Sequence, residues 1–329
     1  MAKNFITSNE YYKSLFGKKV YKISLDAGCT CPTRDGTKGY GGCIFCSQTG
    51  SGDFATSDIS AAKDVVAGKL RGQKGDVAYI AYFQNFTNTY GDLSRLKKLW
   101  YAAMEDPEVV GLALGTRPDC LSEECLKVLD EIAATHFVQI ELGFQTSNEK
   151  SAAYFRRGYE NHVYKDAVKR LHSTKNPIHV VTHVMFGLPS GEMAGGKDRG
   201  GVEGELQKIP LESAYDMMNS VRYALDAGTD GIKITNLYIL KNTELGKVYE
   251  KGGLSVLSME EYITLLRQAL EIIPENIIIH RLTGDPPKSL IIAPEWCCNK
   301  KMMLNEVNKL LGKGSYSLAS GRKRPSLKK

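Results

Sequence analysis

Residues 29–46 read C-T-C-P-T-R-D-G-T-K-G-Y-G-G-C-I-F-C, with eleven residues between Cys31 and Cys43 and two between Cys43 and Cys46. The stretch is glycine-rich and has no apolar periodicity, so it is expected as a loop that something else must hold. Three thiolates converging on one point supply such a hold, because soft sulfur ligands select zinc or iron–sulfur clusters. A structural zinc takes four protein ligands, whereas a cubane held by three cysteines leaves one iron open to a small molecule. Cys31, Cys43 and Cys46 are the candidate cluster ligands. Cys29 is the alternative: as a fourth thiolate it turns the loop into an inert zinc knot and the chain into a non-catalytic RNA-binding protein.

Upstream of the loop, 9–16 reads as a short helix and 19–26 as a first strand that delivers the chain to the cysteines. Downstream, helical spacing at 57–70, 92–104, 122–135, 165–173 and 211–227 alternates with strand-like runs at 76–83, 109–115, 137–142, 178–186 and 230–240. Near-continuously apolar strands alternating with helices imply a parallel sheet with right-handed crossovers. Chemistry in such sheets sits at the carboxyl ends of the strands, the end from which the cysteine loop leaves. Six units are too few for a closed eight-stranded barrel, so the expected fold class is α/β, a partial (βα)6 TIM-like barrel. A glycine-rich, charged segment at 189–210 is expected as a mobile loop. After residue 240 the alternation stops, and a helix at 258–273, a short strand at 276–282 and a helix at 299–311 predict a small α+β C-terminal domain. The expected organisation is an N-terminal extension over 1–18, a core over 19–245, the C-terminal domain over 246–312 and a basic tail over 313–329.

With 42% hydrophobic and 24% charged residues in 329, the composition is that of an ordinary soluble protein. The first ten residues carry no apolar signal core and no apolar run approaches the ~20 residues of a membrane helix, so a cytoplasmic protein is expected. Eight cysteines, three of them clustered, fit a reducing compartment and metal binding better than a disulfide framework. Cys120 and Cys125 read as packing residues, and Cys297 and Cys298, being adjacent, are poorly placed to share one cubane. No acidic residue follows Glu306, and the chain ends Gly321-Arg-Lys-Arg-Pro-Ser-Leu-Lys-Lys329. That tail can neutralise nucleic-acid phosphates or simply remain solvated.

The triple-cysteine loop after strand one of a (βα)6 pattern resembles the radical S-adenosylmethionine enzymes. Within them, Thr30-Cys-Pro-Thr-Arg-Asp-Gly36, Tyr82-Phe-Gln-Asn-Phe-Thr-Asn-Thr-Tyr90, Gly115-Thr-Arg-Pro-Asp119, Glu141-Leu-Gly-Phe-Gln-Thr146 and His280-Arg-Leu-Thr-Gly-Asp285 resemble the bacterial branch related to the catalytic subunit of elongator. The resemblance implies a [4Fe–4S] cluster, with S-adenosylmethionine chelated to its open iron and cleaved to a 5′-deoxyadenosyl radical. It further implies a transfer-RNA substrate, a low-potential electron donor such as flavodoxin or ferredoxin, and a partner methyltransferase. The reaction it suggests converts 5-carboxymethylaminomethyl uridine (or its 2-thio form) at the wobble position to the 5-aminomethyl form. A radical reaction on a peptide or small metabolite is the rival reading. Two features depart from the superfamily: the wide spacing between the first two cysteines, and the absence of Gly-Gly-Glu after strand two.

The same resemblance implies the cofactor-binding residues. Phe45 occupies the position that packs near adenine, and Gln84, Thr87 and Asn88 lie where the cofactor's amino-acid part is expected. Glu141 and Gln145 are expected on its ribose or ammonium, and Arg157, with Arg156 beside it, on a carboxylate or phosphate. Arg117 and Asp119 are expected to bind a carboxylate or each other. His183 reads as a core residue, and Tyr238, His280 and Arg281 as residues whose direction the sequence leaves open.

Overall fold

Lys19–Leu25 (β1), Val77–Phe83 (β2), Val109–Thr116 (β3), Phe137–Gln145 (β4), Ile178–Phe186 (β5) and Gly231–Asn236 (β6) pair in chain order, all parallel. Ile239–Leu240 (β7) leaves this sheet to pair antiparallel with Ile291–Ala293 (β9), while Ile278–Arg281 (β8) adds a seventh parallel strand beside β6. The computed structural model describes residues 5–48, 50, 55–69, 76–191 and 208–312. Most of the loop expected at 189–210, and the whole tail at 313–329, lie outside them. The sheet is an open, curled half-barrel of the TIM type.

Helices Ser8–Phe16 (α1), Ile59–Lys69 (α2), Leu93–Met104 (α3), Glu123–Ala133 (α4), Glu149–Tyr154 (α5), Asn161–His172 (α6) and Ala214–Asp226 (α7) precede or connect the first six strands. Glu244–Glu250 (α8) and Met259–Ile272 (α9) lie between β7 and β8, and Lys300–Leu310 (α10) follows β9. Their starts carry the expected signals: Asp92 caps α3, Ser122 caps α4, and Ser258 with Glu261 forms a capping box on α9. The single strand expected at 230–240 is two, because the chain turns out of the sheet after Asn236. The strand expected at 276–282 joins the main sheet through the bond from Ile278 N to Asp230 O (3.0 Å), so the sheet has seven strands where six were expected.

Strand residues alternate between two unlike faces. On β4, Val138, Ile140, Leu142 and Phe144 enter the large core beneath the helices, together with Leu129 and Ile132 of α4 and Tyr164 of α6. Gln139, Glu141, Gly143 and Gln145, at the intervening positions, face the concave side. The strands are therefore not apolar throughout, as the sequence suggested, because no helical layer covers the inside of the half-barrel. Tyr12 of α1 closes the lower end of that interior, donating to Gln139 Oε1 at 2.6 Å.

Glu212 pins the segment that enters α7. Its carboxylate accepts from Thr146 Oγ1 at 2.6 Å, and its Oε2 and the Ser151 hydroxyl are both buried without a well-placed partner. Burial pushes this carboxyl up to about 7 against the downward pull of the Thr146 and Ser151 hydroxyls. Between its ordinary 4.5 and about 7 the folded state therefore binds more protons than the unfolded chain, and stability falls as pH rises through that window. Thermal unfolding of Glu212→Gln should show it: the variant gains on the wild type between pH 5 and pH 8, by up to about 3 kcal/mol. Parallel pH profiles for the two proteins would remove Glu212 as the cause.

Candidate active site

The cysteine loop leaves the carboxyl end of β1 and is braced by its own backbone. Arg34 N donates to Cys31 O (2.8 Å), Lys38 N to Pro32 O (2.7 Å), Gly42 N to Thr33 O (2.8 Å) and Cys46 N to Cys43 O (3.0 Å). At Gly42 φ is +75°, and a Cβ there would stand 2.8 Å from Arg34 Nε. Glycine thus leaves room for the Arg34 guanidinium, which lies over the Phe86 ring at 5.1 Å and donates to Ser47 O at 2.6 Å.

Cys31, Cys43 and Cys46 line one cavity of about 160 Å³ that opens to solvent at the carboxyl ends of the strands. Cys31 Sγ is 3.0 Å from Thr87 Oγ1. The bond between Cys43 and Cys46 lowers the first thiol and, together with burial, raises the second well above its ordinary value. Cys29 does not line this cavity: it is buried in the hydrophobic core, with Arg95 NH2 3.9 Å from its sulfur. No group of three or more His, Cys, Asp or Glu side chains among the described residues is arranged to hold a single metal ion. With Cys29 in the core, the zinc knot lacks its expected fourth ligand. Three thiols on one open cavity are instead the donor set that fits a cubane with a free iron.

Of the residues expected around the cofactor, Phe45, Gln84, Thr87, Glu141, Gln145 and Arg157 line the same cavity. Phe45 packs on Phe155 at 5.3 Å between ring centres. Gln145 has φ +65°, and its amide lies over Gly143, where an added Cβ would meet Nε2 at 2.6 Å. Asn88 is not on the wall; it is fully buried and donates to Phe83 O (3.0 Å) and Gly115 O (2.9 Å), joining the ends of β2 and β3. Arg157, 1% exposed, donates to the carbonyls of Phe144, Thr146 and Tyr159 and to Glu149 and Asn161, so its whole guanidinium braces the turn after β4. Arg156 pairs with Glu244 through two bonds of 2.8 and 2.7 Å. Arg117 grips Asp119 through two bonds of 2.9 Å and also lines the cavity.

Glu141 is held more tightly than the sequence suggested. Its oxygens accept from Lys22 Nζ (2.5 Å), Tyr82 OH (2.6 Å) and Gln139 Nε2 (3.0 Å), and Lys233 Nζ stands 3.4 Å away. Burial alone raises this carboxyl; the Lys22 and Lys233 ammoniums overcome it and hold the group well below the usual carboxylate range. His183, read as a core residue, is on the cavity wall with Nε2 2.8 Å from Thr235 Oγ1, and burial keeps it neutral. His280 lies deeper, 2.9 Å from His179 between Nε2 atoms.

Lys22, Tyr82, Lys233 and Arg34 were not singled out from the sequence. A signal existed for the lysines: Lys22-x-Ser24, Gln139-x-Glu141 and Lys233-x-Thr235 are polar pairs at strand spacing inside apolar runs. Three of the four non-glycine residues with positive φ among those described, Phe86, Gln145 and Arg156, also stand at this site. Such backbone is retained where surroundings over-determine it.

A parallel half-barrel with three thiols on its catalytic rim defines a radical-enzyme class of site, and sequence comparison gives the family. The profile of the radical SAM superfamily matches residues 37–193 and that of the Radical_SAM C-terminal domain matches 229–313. Over 318 residues the chain is 38% identical to the uncharacterized protein YtqA of Bacillus subtilis, covering 95% of this chain and 92% of that one. It is 26% identical over 184 residues to the tRNA uridine(34) acetyltransferase of Methanocaldococcus jannaschii, covering 56% of this chain and 30% of that one. The solved structure of Methanocaldococcus infernus Elp3 with an N-terminal deletion superposes with a TM-score of 0.58 at 17% identity, over 84% of this chain and 59% of that one. The chain belongs to the radical SAM superfamily, and it is a radical SAM enzyme whose cofactors are a [4Fe–4S] cluster and S-adenosylmethionine. No described helix is long and apolar enough to cross a membrane.

Reconstituted anaerobically, the protein should be brown, hold roughly four irons and release 5′-deoxyadenosine with a strong reductant. The combined change of Cys31, Cys43 and Cys46 to Ala should abolish both properties, whereas Cys29→Ala should leave both. Persistent cofactor cleavage in the triple variant would rule these ligands out.

Proposed function

We propose that the enzyme acts on a modified wobble uridine of transfer RNA, converting 5-carboxymethylaminomethyl uridine or its 2-thio form to the 5-aminomethyl form. The carboxymethyl group leaves as glyoxylate, with water supplying its aldehyde oxygen and one S-adenosylmethionine, split to 5′-deoxyadenosine and methionine, taking up the two electrons. The observation that carries the reading is the composition of one cavity. It brings together three thiols, an apolar wall from Phe45 and Met185, and a floor of fixed charges around Glu141. Similarity to a relative named for uridine 34 of transfer RNA supports the choice of substrate.

Cys31, Cys43 and Cys46 hold the cluster in this reading, and the Thr87 hydroxyl, 3.0 Å from Cys31 Sγ, orients the first of them. When bound, the cluster and S-adenosylmethionine supply removal of a hydrogen atom from an unactivated carbon. The chain's own part is to position and to exclude water. Phe45 offers a flat apolar face for the cofactor's base, and Gln84 and Gln145 offer amides from the ends of β2 and β4. The Glu141 carboxylate, fully engaged by its neighbours, acts on the cofactor through the rigidity of the wall. Arg34 and Arg117 place positive charge beside the thiols, which favours the thiolates that ligate iron. A low-potential donor such as flavodoxin or ferredoxin provides the electron, and a methyltransferase takes up the product amine.

Nucleoside mass spectrometry of transfer RNA tests this reading. A strain lacking the gene should accumulate the 5-carboxymethylaminomethyl nucleoside and lose the aminomethyl form and its methylated product. Wild-type levels of all three in the deletion strain would overturn it.

A further inference from the structure

The charges inside the half-barrel do not balance. Lys22 and Lys233 both point at Glu141, and neither is ion-paired with another carboxylate among the described residues. The two are not equivalent: Lys22 Nζ lies 2.5 Å from Oε1, whereas Lys233 Nζ lies 3.4 Å from Oε2, an oxygen already accepting from Tyr82 at 2.6 Å. An ammonium has three donors, and this long contact uses one of them poorly. Lys233 lines the cavity alongside Cys31, Cys43 and Cys46, with 16% of its side chain exposed. No carboxylate other than Glu141 lines the cavity with Lys233; His183 is neutral, Arg281 is exposed, and the three thiols are reserved for the cluster. Burial, Arg281 and Lys22 together drive the Lys233 ammonium down to about 8 despite the pull of Glu141. Two ammoniums on one carboxylate, the second held only by a long contact and opening on the cavity, are complementary to a further anion.

We propose that Lys233 is a substrate-binding residue that receives the carboxylate of the group being modified, completing an arrangement of two ammoniums and two carboxylates on the floor of the cavity. This deepens the proposed function and rests on it, since the carboxymethyl group of the substrate is the carboxylate concerned. It also separates the roles of the two lysines. Lys22 neutralises Glu141 and belongs to the framework; Lys233 faces the ligand. An anion at Lys233 gives the ammonium a second partner beside its long contact with Glu141, so the same contact that recognises the substrate stabilises the charge already buried there.

The test uses the anaerobically reconstituted full chain and two anticodon stem–loop RNAs, identical except that one carries 5-carboxymethylaminomethyl and the other 5-methylaminomethyl uridine. Fluorescence anisotropy gives the affinity of each RNA for the wild type, Lys233→Met and Lys233→Arg, and equilibrium dialysis gives S-adenosylmethionine affinity without RNA. The wild type should prefer the carboxylate-bearing RNA by roughly 10-fold or more. Lys233→Met should lose that preference while binding the methylaminomethyl RNA like the wild type, and Lys233→Arg should keep part of it. Cofactor affinity should stay within about 2-fold, as expected for a group that does not touch it. The proposal is overturned if the wild type shows no preference, if Lys233→Met retains it, or if the variant's cofactor affinity drops 10-fold, which would make the cofactor's carboxylate the partner. Failure of the underlying reading appears elsewhere: wild-type enzyme with reductant would then yield no aminomethyl uridine from the first RNA.

Discussion

The Glu141 carboxylate is the point on which the interior of the half-barrel depends. It joins four strands at once, taking bonds from Lys22 on β1, Tyr82 on β2, Gln139 on β4 and, at longer range, Lys233 on β6. A buried carboxylate is costly without partners and directional with them, so this one ties the inward faces of those strands to a common point. An apolar interior would have filled itself with side chains. A charged one, built on short bonds with fixed geometry, leaves space above it.

That space becomes a site because each strand ends in something other than helix. β1 runs into the thiol loop, β2 into Gln84 and Thr87, β3 into Arg117, and β4 through a bulge into Gln145. Backbone in the left-handed region at Phe86, Gln145 and Arg156 marks where the chain turns sharply back toward the cavity. The braces are themselves polar: Asn88 ties the ends of β2 and β3, and Arg157 saturates the carbonyls after β4. Both residue types invite a ligand-binding interpretation from sequence, and both serve here to keep the rim from opening.

The far side of the molecule explains why the fold extends beyond six units. β8 covers the edge of β6, and α9 and α10 contribute Leu266, Ala269 and Met303 to the same core that the earlier helices share. Tyr262 of α9 reaches Ile234 O (3.3 Å) and Leu282 O (3.2 Å), binding β6 to the chain just past β8. Beside β8, whose Ile279 N donates to Ile6 O just before the helix (2.9 Å), α1 closes the lower end of the interior with Tyr12. A floor sealed in this way confines access to the rim that carries the thiols. Many chemistries share such scaffolds, so the substrate has to be argued from the cavity's own groups.

The amino-acid sequence by itself determined the alternation of strands and helices, the position of the thiol loop after the first strand, and three cysteines that come to line one cavity. Those features are local: hydrophobic period, helix caps and ligand spacing are written within a few neighbouring residues. What only the tertiary structure decided was which side chains meet. Cys29, two residues from Cys31, turns into the core; Lys22 and Lys233, 211 positions apart by number, share one carboxylate; and β8 joins a sheet whose other strands end long before it. Such meetings depend on the curl of the sheet and on which strand face is left without a helical cover, and neither is a property of any single segment.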